Sequence, residues 1–335
     1  MKWYSGVCIH MALGLSLAVG TLAHAGPTED ADALSSSAMQ AHRAGSYEKA
    51  LGAWLEAAEL YTKAGHEAKA AKCLCNVAQV QSRLGHLDDE IASYRKALAA
   101  YERLGMVPEQ ASCHYNLGLC LYDRDDYARA ATHFRAAMEL YTTSGDAEGE
   151  ADSATNLGVA CDLLDLYQEA IELQNRAVAI YERLGRERQV ADCWANLGVA
   201  YYHLGQFERA VEHHNKALDV YSRLDVPEMQ AACWMNLGAT YDDLGLYERG
   251  RESSARARDA YAKLGHHRKQ AECTANIGVS YYLDGRPASA IQHLSEALGA
   301  YRELKLPRPE ANCLANLARA HGNSGDIRKA VALHR

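Results

Sequence analysis

Proline and phenylalanine are nearly absent from this sequence: 6 Pro and 2 Phe among 335 residues, set against 20 Tyr. With so few breakers and a heavy load of Ala, Leu and Glu, the composition favours helix over sheet, because Ala and straight-chain residues lose least on entering a helix. A basic excess is also missing. The formal net charge of −8 argues against non-specific nucleic-acid binding, which needs clustered Lys and Arg to release counterions; a basic partner suits the chain better. No Cys-x-x-Cys pair occurs, which weakens a zinc reading. Neither a Gly-rich phosphate loop nor a glycosidase-like carboxylate pair stands out. His213-His214 and His266-His267 are adjacent, so their side chains diverge on a helix and do not suit a chelate. Cys113-His114 has no evident third group to orient it as a nucleophile pair. Enzymatic activity, a metal and a cofactor are therefore not expected.

Beyond Pro27 no stretch is continuously apolar enough to cross a membrane. Ahead of it, Lys2, the run VCIHMALGLSLAVGTLA and the small-x-small site Ala23-His24-Ala25 follow the pattern of a secretory signal. Residues 1–25 are expected to be that signal, or a membrane anchor if uncleaved, with 26–31 as a linker. A genuine signal implies export to the periplasm or outside; without one the chain is cytoplasmic. Of 10 Cys, six recur in one column, Cys73, Cys113, Cys193, Cys233, Cys273 and Cys313. Equivalent positions in stacked helical repeats lie about 8–10 Å apart, beyond the Cα reach of a disulfide at roughly 7 Å. The column therefore reads as small buried hydrophobes.

What the sequence does have is a period. Laid out at forty residues, Asn recurs at Asn76, Asn116, Asn156, Asn196, Asn236, Asn276 and Asn316, and Tyr at Tyr61, Tyr101, Tyr141, Tyr181, Tyr221, Tyr261 and Tyr301. Fixed self-similarity of this length signals a solenoid. Each unit carries two apolar-periodic helical segments, such as 190–204 and 207–224, broken at Gly205. Gly45, Gly85, Gly245, Gly285 and Gly325 repeat that break, and Gly65, Gly105, Gly145, Gly185 and Gly265 end the second helix, as expected where a helix closes in a left-handed conformation. Asp125, Asp165, Asp225 and Lys305 stand in for Gly at the remaining breaks. Residues 32–335 are thus expected to form seven full helix-turn-helix units and an incomplete eighth.

Trp194, Leu197, Gly198, Tyr201, Gly205, Phe207, Ala210, Ala217 and Leu218 resemble the tetratricopeptide (TPR) signature W-x-x-L-G-x-x-Y, G-x-[FY]-x-x-A, A-L. The forty-residue spacing is similar to that of the Pins/LGN polarity scaffolds and of the TPR arrays in CHAT-domain proteins. The resemblance covers most of the chain and implies an all-α fold, a right-handed superhelical solenoid of antiparallel helix pairs.

The columns carry physical meaning beside the resemblance. Gly118, Gly158, Gly198, Gly238 and Gly278 lie mid-helix, where Gly costs about 1 kcal/mol relative to Ala. Close approach of the paired helix is expected to offset it, with Ala130, Ala170, Ala210 and Ala290 as the small residues opposite. The Tyr column is expected to bury its rings between units while each hydroxyl stays wet or meets the backbone. Glu90 and Gly250 break the Ala column, Asp125 and Asp165 the Gly column and Pro287 the aromatic one, so local loosening is expected there.

The Asn column admits two readings. Each amide could stitch neighbouring helices, since buried polar groups find partners, or the row could face the concave groove and grip an extended peptide with its donors and acceptors. Asn196, flanked at helical spacing by Val199 and Asp192, lies on a mixed face outside the Cys193-Leu197 stripe, which favours the groove. The TPR resemblance implies the same orientation. Asp152, Asp192 and Glu272, four residues before their Asn, and Asp162, Asp242 and Asp243 after, would make that groove mildly acidic and suit a peptide with Lys or Arg. The sequence therefore reads as a protein-binding scaffold, with a sensor or recruiting arm of a larger enzyme such as a CHAT-type protease, or a peptide-responsive regulator, as the alternatives.

Overall fold

The computed structural model describes residues 26–333, and the expected signal segment lies outside them. Among the described residues there are sixteen helices and no strand. The first helices of successive units are α1 (Pro27–Arg43), α3 (Glu67–Leu84), α5 (Val107–Tyr122), α7 (Ala147–Asp162), α9 (Glu187–His203), α11 (Pro227–Asp243), α13 (His267–Leu283) and α15 (Pro307–Asn323). Their partners are α2 (Tyr47–Lys63), α4 (Leu87–Leu104), α6 (Tyr127–Ser144), α8 (Tyr167–Arg183), α10 (Phe207–Arg223), α12 (Tyr247–Lys263), α14 (Pro287–Glu303) and α16 (Ile327–Leu333). None is long and apolar enough to cross a membrane.

The expected linker at 26–31 is corrected by α1. Pro27 occupies the first turn, where its missing N–H is no loss, the Glu29 carboxylate accepts from the Gly26 N–H at 3.3 Å, and Ala31 is fully buried.

Every junction is closed in one way. At each of the fifteen turns the amide of the residue just before the next helix donates to a carbonyl five residues back, in the helix just ended, as His66 N to Tyr61 O at 2.8 Å and Gln206 N to Tyr201 O at 2.9 Å. The residue ahead of that amide is left-handed, the arrangement that satisfies carbonyls orphaned at a helix end. Eleven of these are Gly, and the four substitutes adopt the same conformation: Asp125 (φ 60°), Asp165 (φ 61°), Asp225 (φ 50°) and Lys305 (φ 54°). Asp125 and Asp165 are further held by the hydroxyls of Tyr127 (2.6 Å) and Tyr167 (2.5 Å).

Each helix packs on the next in the chain, which makes a one-dimensional stack. The alternate helices that approach one another most are first helices, α7 with α9, α9 with α11, α11 with α13 and α13 with α15. First helices therefore crowd the inner side of the curve.

Within a unit, the mid-helix glycines make room for a whole side chain, which corrects the small-on-small expectation. A Cβ on Gly118 would lie 2.6 Å from the Phe134 ring, one on Gly198 2.5 Å from the His214 ring, and one on Gly278 2.8 Å from Leu294 Cγ. The alanines opposite are buried, but the glycine is required by the residue one turn further along the partner helix.

That facing position changes character along the stack. It holds Trp54, Tyr94, Phe134 and Leu294 in the outer units and Gln174, His214 and Ser254 in three consecutive inner ones, each of these three only 1% exposed. Gln174 Nε2 donates to Thr155 O at 2.9 Å, while His214 Nδ1 and Ser254 Oγ have no partner among the described residues. The apolar core is divided along the stack: one cluster runs from Ala31 to Val80 and a second from Ala71 to Ala200, small clusters follow around Tyr221 and Tyr261, and a last one runs from Ala271 to Ala320.

The loosening expected at Glu90, Asp125, Asp165, Gly250 and Pro287 is not seen, the two aspartates closing their turns as glycine does. Glu90 is buried beside Cys120 and Ser82, Pro287 opens α14 at a position suited to proline, and the Asp242 carboxylate fills the space a Cβ on Gly250 would take, 2.2 Å from it. The cysteine column is buried as expected, with all six thiols free.

Two stability predictions follow from these contacts. Left-handed geometry costs a residue with a Cβ roughly 1–2 kcal/mol, so Lys305→Gly is expected to stabilise the chain by about 1 kcal/mol in urea unfolding. Asp125→Gly is expected to gain less, because it gives up the Tyr127 bond. Burial holds both His214 and His133 down to about 4, below the usual 6.5. The unfolded chain therefore binds more protons between those values, and stability is expected to fall as pH drops from about 6.5 to 4. His214→Leu, which copies Leu294 opposite Gly278, is expected to raise stability by about 1–3 kcal/mol by removing an unpaired buried nitrogen and to flatten that acid limb in melts at stepped pH.

Candidate peptide-binding groove

The crowded inner sides of the first helices form the candidate surface. All seven asparagines occupy one register of these first helices, each half-buried. Asn116 Nδ2 donates to Ser112 O in its own helix (2.7 Å). Asn156 Nδ2 donates to Asp152 O (3.1 Å) and reaches across to the Tyr115 hydroxyl on the preceding first helix (2.9 Å). The side chains of Asn76, Asn196, Asn236, Asn276 and Asn316 make no hydrogen bond among the described residues, which leaves two donors and an acceptor on each amide unspent by the protein.

The acidic residues are placed differently from one another. Asp152 accepts from the Tyr181 hydroxyl (2.5 Å) and Asp192 from the Tyr221 hydroxyl (2.7 Å), and Tyr61 makes the same bond to Asp32. Tyr141 meets Ser112 at 3.1 Å in the equivalent place. The Tyr column thus clamps the first helix of its own unit through a side chain, where water or backbone was expected. Burial pushes the Asp152 and Asp192 carboxyls above the ordinary range, with the tyrosine bonds pulling the other way. One oxygen of each is committed to the fold.

Asp242 accepts from Ser280 Oγ at 2.6 Å, and burial carries it up to about 6 against the pull of Ser280 and Arg251. Glu272 is answered within its own helix by Arg268 (3.0 Å) and Lys269 (3.2 Å). Asp162 faces His203 Nδ1 at 3.2 Å, which leaves Asp243 as the exposed carboxylate of the six. The acid of this face is therefore largely spoken for, and the amide row is its more open recognition feature. Sequence reasoning missed Tyr115 and His203 as members of this face. Both partner residues lie forty-one positions away, an offset that a forty-residue alignment does not pair.

A family model for the tetratricopeptide repeat matches residues 29–103, 109–183, 163–223 and 230–303. No curated protein was found to match the sequence. Among solved structures, the apo form of RapI is similar at 16% identity and TM-score 0.65, over 82% of this chain and 98% of that one. A signal transduction ATPase with numerous domains and a tetratricopeptide repeat sensor, from Pyrococcus horikoshii, is similar at 14% identity and TM-score 0.65, over 86% of this chain and 50% of that one. A Rap protein complexed with competence and sporulation factor is similar at 12% identity and TM-score 0.52, over 92% of this chain and all of that one. At these identities what is shared is the fold, a tetratricopeptide-type solenoid.

The tyrosine clamp carries its own internal control. Tyr181→Phe leaves the buried Asp152 carboxyl without its donor and is expected to cost about 1–3 kcal/mol. Tyr261→Phe, in the unit where Ala232 fills the Asp slot, is expected to cost clearly less. Urea midpoints of the two variants compare them directly.

Proposed function

We propose that this chain, which belongs to the tetratricopeptide repeat family, is a non-catalytic protein-interaction scaffold that takes an extended peptide segment along its inner face. The observation that carries the reading is the row of seven half-buried asparagines in one register of the first helices, five of them with amide groups unspent by the protein. An extended backbone offers alternating N–H and C=O groups, and an amide can answer either. Successive amides from a rigid stack do so without reordering the protein, which keeps the entropic cost of binding on the peptide side. The similar Rap structure complexed with competence and sporulation factor supports a fold of this kind holding a partner.

The occupant is a peptide with Lys or Arg near its middle. Asp243 is exposed at the end of α11, Asp242 adjoins it in the chain and Asp162 is the equivalent residue two units before, both with oxygens only partly used. The net charge of −8 adds a weak long-range attraction of the same sign.

Changing Asn196, Asn236 and Asn276 together to Ala is expected to leave helicity nearly intact while weakening capture of a Lys/Arg-containing peptide from a synthetic array by roughly 10- to 100-fold, at about 0.5–1.5 kcal/mol per lost hydrogen bond. Circular dichroism and titration of the best array peptide check both halves. A collapsed melt with unchanged affinity means that the amides stitch helices instead, and an array without preference for basic peptides removes the charge part of the proposal.

A further inference from the structure

Of the three described cysteines off the column, Cys75, Cys120 and Cys161, one meets a thiol of the column. Cys75 on α3 lies two positions past the column, and its Sγ is 3.8 Å from Cys113 Sγ on α5, the next first helix. The same register recurs two units on, where Thr155 Oγ1 lies 3.5 Å from Cys193 Sγ, again thirty-eight residues apart. The stack therefore brings this pair of positions into contact by construction. At the other junctions the pair reads Ser35 and Cys73, Tyr115 and Ser153, Ala195 and Cys233, Met235 and Cys273, and Ala275 and Cys313. Of these junctions, the one between α3 and α5 supplies a thiol on both sides.

The surroundings of Cys75 differ from those of the column. In the units of Tyr61, Tyr181 and Tyr221 the tyrosine hydroxyl donates to an Asp of the first helix. Here that slot is Lys72, and the Tyr101 hydroxyl is directed to Cys75 instead. Hydrogen bonding from Cys113, the Lys72 charge and the Tyr101 hydroxyl all favour a Cys75 thiolate and outweigh its burial. Cys113 is pushed the other way, by its bond to Cys75 and by burial. Cys75 is half-buried and Cys113 buried. Cys75 is thus the less buried and the more readily ionised thiol of the pair.

We propose that Cys75 and Cys113 form a thiol-disulfide exchange site, at which a low-molecular-weight disulfide cross-links the first helices of the second and third units. The Cys75 thiolate attacks one sulfur of the oxidant, breaking its S–S bond and releasing one thiolate, to give a mixed disulfide on Cys75. Cys113 loses its proton as it attacks Cys75 Sγ, forms the internal bond and expels the second thiol. The net change is one external disulfide reduced to two thiols and two protein thiols oxidised to one disulfide. Closing the sulfurs from contact to a bond of about 2.05 Å draws α3 and α5 together on the inner side, one residue from Asn76, and fixes the pitch of the stack there. This site stands on the thiol geometry and is independent of the peptide reading.

The test is incubation of the folded full chain with oxidised glutathione, followed by alkylation of remaining thiols, intact mass and fragment mapping. The expected result is loss of two hydrogens, a Cys75–Cys113 link, no retained glutathione, and full reversal by dithiothreitol. In Cys113→Ser, a change with precedent at Ser153 in the same column, one glutathione is expected to stay on Cys75. In Cys75→Ser, Cys113 is expected to remain unmodified. Without oxidant, iodoacetamide is expected to modify Cys75 at least about tenfold faster than Cys193 or Cys233. Glutathione retained on Cys75 of the unaltered chain, or Cys75 alkylated no faster than the buried column, overturns the proposal.

Discussion

The structure depends on one closure repeated fifteen times: a left-handed residue flanked by an amide that reaches back to the last turn of the helix just ended. Because each closure has the same bonds, each helix leaves its predecessor in the same direction. Identical exits turn a repeating sequence into aligned columns of side chains. The amide row, the tyrosine clamps and the cysteine column are all consequences of that alignment. Where Gly is replaced, the geometry persists at a cost: Asp125 and Asp165 recover part of it through a tyrosine hydroxyl, whereas no such hydroxyl holds Lys305.

Alignment makes positions equivalent without making the units identical. The position facing each mid-helix glycine shows this most clearly. The glycine yields space for whatever side chain the partner helix presents, so the same hollow holds a phenyl ring at Phe134, an amide at Gln174, an imidazole at His214 and a leucine at Leu294. A hollow that tolerates this range lets polarity vary along the stack while the backbone path is kept. The inner clamp behaves alike: Tyr181 and Tyr221 close on Asp, Tyr141 on Ser112, and Tyr101 turns to Cys75 where Lys72 leaves it no acceptor.

Most of the architecture was legible in the sequence because it is written at the period itself. The helix breaks and the burial of the cysteine column recur at forty residues, whereas the left-handed turns kept at Asp125 and Asp165 did not show there. What escaped lies at other offsets. The tyrosine clamp spans twenty-nine residues, the thiol contact thirty-eight and the Asn156 to Tyr115 bridge forty-one. These distances depend on how helices lean on one another, which a column alignment does not display. Gly250 escaped for a related reason: the carboxylate that occupies its missing Cβ belongs to Asp242, on the neighbouring helix. The linker reading of 26–31 failed because Pro27 opens a helix.

The polar residues under α9 to α13 have a mechanical meaning for the whole molecule. A nearest-neighbour array transmits cooperativity only as far as its weakest interface. Here the contiguous apolar core stops near Ala200 and resumes at Ala271. Between those points neighbouring units rest on the small clusters around Tyr221 and Tyr261, so less apolar burial couples the two ends of the array there.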